Sequence, residues 1–290
     1  MTQEKTTPEQ LISNSFDLVS LPELYFQVDE MIGDPRYTAD DIGEVILTDP
    51  AMTAKLLKIV NSAFYGLPAK IDTLTRAVTI VGMDELRSLI LASSAIYEFN
   101  KIPNDLVDMS DFWMHSIHCG VIAKLLAKKG TVLHSERLFI AGLLHDLGSL
   151  LMYNKLPDQS REILSTTNGD RRLISGLEKE LLGFTHADVS AAILEKWELS
   201  SALIESIKFH LNPGEAPNPV LEAHFVYLAN LLSGVEENGD SLQDAFAEIS
   251  DETWSITGLS EPDILAVMEQ APEQLMQLFG LMVPSSVGQF

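Results

Sequence analysis

Apolar positions recur at helical spacing along most of the chain. In residues 38–47, TADDIGEVIL, the residues Ile42, Val45 and Ile46 share one stripe with acids opposite, and Thr38 with Asp41 has the pattern of a capping box. Asp49-Pro50 reads as an N-cap followed by proline at the first helical position. The helix it opens carries Met52, Leu56, Ile59 and Val60 and is predicted to end near Gly66. Thr73 caps a further helix that Gly82 breaks, and Asp84 opens a long apolar helix toward Tyr97. The polar stretch 100–105 marks an internal boundary. Beyond it, amphipathic segments are predicted around 111–129, 135–153, 158–182, 186–197, 201–210 and 219–234. Alternating strand patterns are nearly absent. The pattern predicts an all-α chain of two packed helical subdomains, 1–102 and 103–290. The acidic run at 236–240 reads as a solvated loop and the tail 284–290 as frayed.

Composition narrows the function classes. With 290 residues, 46% of them hydrophobic, the chain can bury a sizeable core. Its 19 Lys and Arg against 42 Asp and Glu give a net charge of −23. That balance argues against nucleic-acid binding, which needs clustered cations, and against docking on anionic lipid. A single cysteine, Cys119, excludes an internal disulfide framework and fits a reducing cytoplasm. No apolar run reaches the length of a membrane span, and residues 1–10 lack the apolar core of a signal peptide. The expectation is a cytoplasmic protein with no membrane and no nucleic-acid partner.

Seven histidines carry the candidate chemistry. His145 and Asp146 stand side by side in the apolar segment 143–148, where burying both is costly unless something satisfies them. His115 lies earlier, in a helix striped by Ile117, Val121 and Leu125. His186 starts a helix whose Thr185 and Asp188 suit a capping box, and His210 closes another. Taken singly, each is more often a satisfied core residue. Converging from separate helices, they would form a nitrogen and oxygen ligand set suited to Fe, Mn, Ni or Zn. His118 reads as packing beside His115, His134 as exposed, His224 as no ligand, and Cys119 as a small core residue. No Ser-His-Asp elbow, Walker loop or dinucleotide fingerprint occurs.

The order His115, His145-Asp146, His186, His210 resembles the HD superfamily of metal-dependent phosphohydrolases, including its HD-GYP branch. The first half narrows the resemblance. Leu21-Pro22, the stretches 48–57 (TDPAMTAKLL) and 61–66 (NSAFYG), Ile71, Ala77-Val78 and Val81-Gly82 resemble the HDOD domain, an HD-related output domain of bacterial signalling proteins. So do 182–186, Trp197-Glu198-Leu199 and 207–213, and the resemblance covers roughly residues 18 to 235. It implies that 103–290 is an HD-like helical core and 1–102 a smaller partner-binding or regulatory bundle. It also implies metal ligation by His115, His145, Asp146, His186 and His210, with Asn230 where the HD pattern has a distal Asp. Two further departures stand out. Ser149 replaces the Lys of the HD-GYP pattern, and Leu211 follows His210 where that branch has a second His. Losing a carboxylate weakens a hard divalent ion, and losing the Lys removes a phosphate-charge stabiliser. The resemblance therefore implies a bacterial signal-transduction protein with a degenerate metal site, acting by binding signalling proteins or a nucleotide. The alternative it leaves open is a working metal-dependent phosphohydrolase of a nucleotide or cyclic dinucleotide. A third reading is a structural adaptor with a dry pocket and no ion.

Overall fold

A computed structural model describes residues 6–13, 15, 20–217, 220–235 and 239–284. The fold is all-α: among the described residues every regular element is helical. The first half contributes α1 (Pro8–Ser13), α2 (Glu23–Gly33), α3 (Ala39–Leu47), α4 (Pro50–Val60), α5 (Leu74–Val81) and α6 (Met83–Phe99). The second contributes α7 (Met109–Lys129), α8 (Ser135–Leu144), α9 (Leu147–Lys155), α10 (Pro157–Thr167), α11 (Arg171–Leu181), α12 (His186–Lys196), α13 (Ser201–Lys208) and α14 (Leu221–Ser233). They are followed by α15 (Leu242–Glu248), α16 (Asp251–Thr257) and α17 (Glu261–Met282). No helix among the described residues is long and apolar enough to cross a membrane. Most of the acidic run (236–238) and of the tail (285–290) lies outside the described residues.

The expected caps are in place. Thr38 with Asp41 and Thr185 with Asp188 form capping boxes, while Asp49 and Thr73 cap α4 and α5 through their side chains. Three predicted segments differ from the expectation, and α15, α16 and α17 lie beyond the last segment predicted. The fourth helix stops at Val60 rather than near Gly66. The Asn61 side chain accepts from the Ile71 amide at 2.7 Å and donates to the Leu57 and Ile71 carbonyls at 2.7 Å each, which turns the chain. The segment 158–182 divides at Asn168 and Gly169, both with positive φ, and Asp170 caps the new start. The segment 135–153 divides at His145-Asp146, so the most informative pair in the sequence sits in a helix break.

The long α7 is the spine, packed by α8, α14 and α17, and α17 also reaches back to α4. Its crossing with α8 is close. A Cβ on Gly142 would lie 2.7 Å from Cα of Gly120, so the two backbones touch there. The stretch 100–108 joins α6 to α7, and the Trp113 indole N–H donates to Asn100 Oδ1 at 2.9 Å. One apolar core runs from Leu11 to Val283. Within it lies a buried polar group. Lys124 of α7 pairs with Glu85 of α6 at 2.7 Å, and the Tyr65 hydroxyl donates to the same carboxylate. The ammonium stands 4.0 Å above the Phe64 ring and 4.8 Å from that of Tyr65. The NSAFYG stretch thus grips the helix that carries His115.

Candidate metal centre

The close crossing of α7 and α8 brings His115 toward the break at His145, and α12 and α13 deliver two more histidines. The ring centroids of His115 and His145 are 5.4 Å apart, those of His145 and His210 5.0 Å, and those of His186 and His210 5.8 Å. Asp146 Oδ1 lies 3.9 Å from His186 Nε2. The His115 Nε2–H donates to Asn230 Oδ1 at 3.2 Å, which places Asn230 of α14 at the edge of the cluster. These pairwise approaches link all six residues singled out as candidate ligands into one continuous cluster. The other histidines do not join them. His118 is half-buried, His134 is exposed and pairs with Glu136, and His224 is buried against the Thr253 hydroxyl at 3.0 Å. Cys119 is a buried core thiol.

The break is held by α12. Ser190 Oγ donates to the His145 carbonyl and accepts from the Gly148 amide, both at 2.8 Å. A side chain at Gly148 would put Cβ 2.2 Å from the His186 carbonyl oxygen, so only glycine lets α9 lie this close to α12. His145 and His210 each donate Nδ1–H to a backbone carbonyl, Gly142 and Ile207, at 2.6 Å. That bond fixes the tautomer and leaves Nε2 with its lone pair. His210 Nε2 is buried with no hydrogen-bond partner. In His186, Nδ1–H donates to the buried Glu178 carboxylate at 2.7 Å, the outer-shell arrangement common behind a metal ligand.

The carboxylate side of the cluster is different. Asp146 Oδ1 accepts from the Ser149 hydroxyl, and Oδ2 accepts from the Arg171 guanidinium at 3.1 Å. Burial alone would raise the Asp146 carboxyl, but His186, His145, Arg171 and Ser149 together hold it well below the usual carboxylate range. Burial also disfavours charge on His186, yet the Glu178 carboxylate and then Asp146 override it and push the imidazole up to about 9. Burial, with the neighbouring His186 charge, pushes His210 down to about 4. Burial and then His210 push His145 well below its ordinary value. The buried Asp146 and Glu178 carboxyl groups thus face Arg171 and His186, groups of the opposite charge type.

Among the described residues, no three His, Cys, Asp or Glu side chains stand ready around a common point as metal ligands. On the histidine side two donors are ready, since His145 and His210 keep Nε2 lone pairs. On the carboxylate side Arg171 and Ser149 already occupy Asp146, and Asn230 adds no charge. Sequence reasoning missed Arg171 and Glu178. The signal for Arg171 was two adjacent arginines, 171 and 172, opening a helix in a chain poor in cations. Glu178, eight residues before His186 in a polar helix, gave no signal because its role exists only in the tertiary contact.

Comparison with known proteins agrees with this architecture. An uncharacterized protein of Treponema pallidum (strain Nichols) is 27% identical over 205 residues, 69% of this chain and 39% of the relative. The chain therefore spans about two fifths of the length of that curated relative. A crystal structure of an HDOD domain protein of unknown function from Geobacter sulfurreducens superposes with a TM-score of 0.74 at 21% identity, covering 95% of this chain and 97% of that one. One from Shewanella amazonensis SB2B, provisionally named a phosphohydrolase, gives 0.73 at 24% identity, covering 94% and 98%. At these identities the likeness concerns the fold. The HDOD domain itself matches residues 18–213, which span the helical bundle and four of the clustered histidines, and on that match the chain belongs to the HDOD family.

Proposed function

We propose that this chain is a regulatory HDOD protein that acts by binding a protein or a small ligand, with a degenerate metal site rather than a turnover centre. The observation that carries the reading is the state of Asp146. Both its oxygens are engaged by the chain's own Ser149 and Arg171, and the residue beside His115 is the neutral Asn230, where the HD resemblance implies an Asp. His115, His145, Asp146, His186, His210 and Asn230 would be the residues around a bound ion. When bound, a divalent ion such as Fe, Mn, Ni or Zn would supply Lewis-acid polarisation there. The chain's own groups orient the histidines and compensate the charge. Residues 1–102 would serve as the regulatory or partner-binding bundle and 103–290 as the HD-like core, in a bacterial cytoplasm, with signalling proteins as partners.

The second reading, a metal-dependent phosphohydrolase of a nucleotide or cyclic dinucleotide, is favoured by the inward lone pairs of His145 and His210. One experiment separates the two. The full chain, purified without chelator, is analysed for metal and assayed with Mn²⁺ against cyclic dinucleotides and nucleotides. No hydrolysis is expected. Metal-dependent hydrolysis that disappears in His145→Ala overturns the binding reading.

A further inference from the structure

We infer that Arg171 is a resident cation, a guanidinium that holds the place of a divalent ion on Asp146 and keeps the ion out until it swings away. The inference rests on reading the cluster as a degenerate metal site and deepens it by naming what governs the site. Three observations meet in it. The first is position: Arg171 Nη1 lies 3.1 Å from Asp146 Oδ2, on the carboxylate that also faces His186. An ion held by Asp146 and the histidines would sit within a few ångströms of that guanidinium, and two cations competing for one buried carboxylate repel strongly.

The second is local structure. Arg171 and Arg172 open α11, at the positive end of the helix dipole, where acids and not cations are favoured. Arg172 is compensated at the surface by Asp170 at 2.8 Å and Asp240 at 3.0 Å. Arg171 reaches inward to the buried Asp146. The helix dipole does not favour it, and the buried Asp146 does. A guanidinium cannot leave by deprotonation, so it neutralises Asp146 at every ordinary pH and yields only by moving.

The third is room to move. The Arg171 side chain is 31% exposed where Asp146 is 7%. It lines a cavity of about 170 Å³ together with His210, Tyr227, Asn230 and Glu248. His210, whose Nε2 is buried without a hydrogen-bond partner, is one of those lining residues. Glu248, at present 3.6 Å from Arg172, offers a displaced Arg171 another carboxylate. Departure into this cavity would free an oxygen of Asp146 beside the lone pairs of His145 and His210.

The test is a Co²⁺ titration of the full chain, followed by calorimetry and by the visible d–d bands of histidine-bound cobalt. Wild type is compared with Arg171→Gln, Arg171→Met and, as a control for general charge, Arg172→Gln. Removing the Arg171 charge is expected to tighten binding by about 10-fold or more, a conservative figure for a partly exposed cation beside a divalent ion. Arg172→Gln should change it far less, and Asp146→Asn added to Arg171→Gln should abolish the gain. Equal or weaker affinity in Arg171→Gln and Arg171→Met overturns the inference. So does failure of both variants to fold, which would make Arg171 a structural ion pair only. Either result leaves the binding reading standing if wild type is catalytically inert, whereas hydrolysis by wild type overturns that reading whatever the cobalt affinities.

Discussion

Replacing Lys124 with methionine should cost the protein far more than an ordinary core substitution. Methionine matches the length of the lysine stem, so packing changes little and the perturbation is electrostatic. The two charged side chains are 6% and 12% exposed and 2.7 Å apart. At an effective dielectric of about 20 their gross attraction is about 6 kcal/mol, and the ammonium over Phe64 adds about 1–2 kcal/mol of cation–π contact. Desolvation offsets most of that sum in the intact pair, which is why such pairs contribute little net stability. Removing one partner restores none of the desolvation. Among the described residues Glu85 then keeps only the Tyr65 hydroxyl, and an uncompensated buried carboxylate costs about 3–5 kcal/mol. The double variant Lys124→Met with Glu85→Gln, in which no charge is stranded, should recover much of the loss. Urea unfolding at pH 7, followed by circular dichroism, reads both values. If Lys124→Met costs less than about 1 kcal/mol, or the double variant is no better than the single, the group is solvated in solution and the reasoning fails.

Three further outcomes follow from the site. Gly148→Ala should destabilise by about 1–3 kcal/mol in a urea melt, because the obstructing atoms are α12 backbone and cannot turn aside; a neutral substitution would mean that α9 and α12 are not in contact. Asn230→Asp places a carboxylate beside His115 and should raise Mn²⁺ affinity measurably by calorimetry, whereas equal affinities would mean that residue 230 does not face the ion. His186 has its folded value raised from 6.5 to about 9, so the stability it contributes is full below pH 6.5 and is lost as pH rises through about 9. Glu178→Gln should flatten that slope, on the order of 3 kcal/mol in wild type, and an unchanged profile from pH 6.5 to 9.5 would refute the Glu178–His186 coupling.

The local elements were legible because their causes are local. Thr38, Asp49, Thr73 and Thr185 announce helix starts through side chains that reach only two or three residues along the chain, and each does so. Two of the errors share one physical origin, while the division at Asn168-Gly169 is local. Periodicity registers an apolar face but not an interruption compensated from elsewhere in the chain. Asn61 ends α4 because Ile71, ten residues on, supplies its partners. The break at His145-Asp146 is sustained by Ser190, forty-five residues beyond His145.

The site divides along the same line. The HD pattern, read through a family resemblance, picked out six residues that come together, because histidines confined to apolar helices have few places to go. What compensates them was not readable. Glu178 and Arg171 both lie on α11, whose strong amphipathic pattern disguised them as solvated charges. A buried acid and a half-buried arginine on a polar helix look the same in sequence as their exposed neighbours, since the difference lies in which helix packs over them. The departures seen in sequence, Ser149 for Lys and Asn230 for Asp, read as losses of charge and predict a weakened site. The structure adds that a positive charge returns from another place in the chain, and returns onto the carboxylate itself. A site that has only lost ligands would bind its ion weakly and passively. One whose carboxylate is held by an arginine with a cavity behind it has two distinct states, and whatever draws Arg171 into that cavity chooses between them.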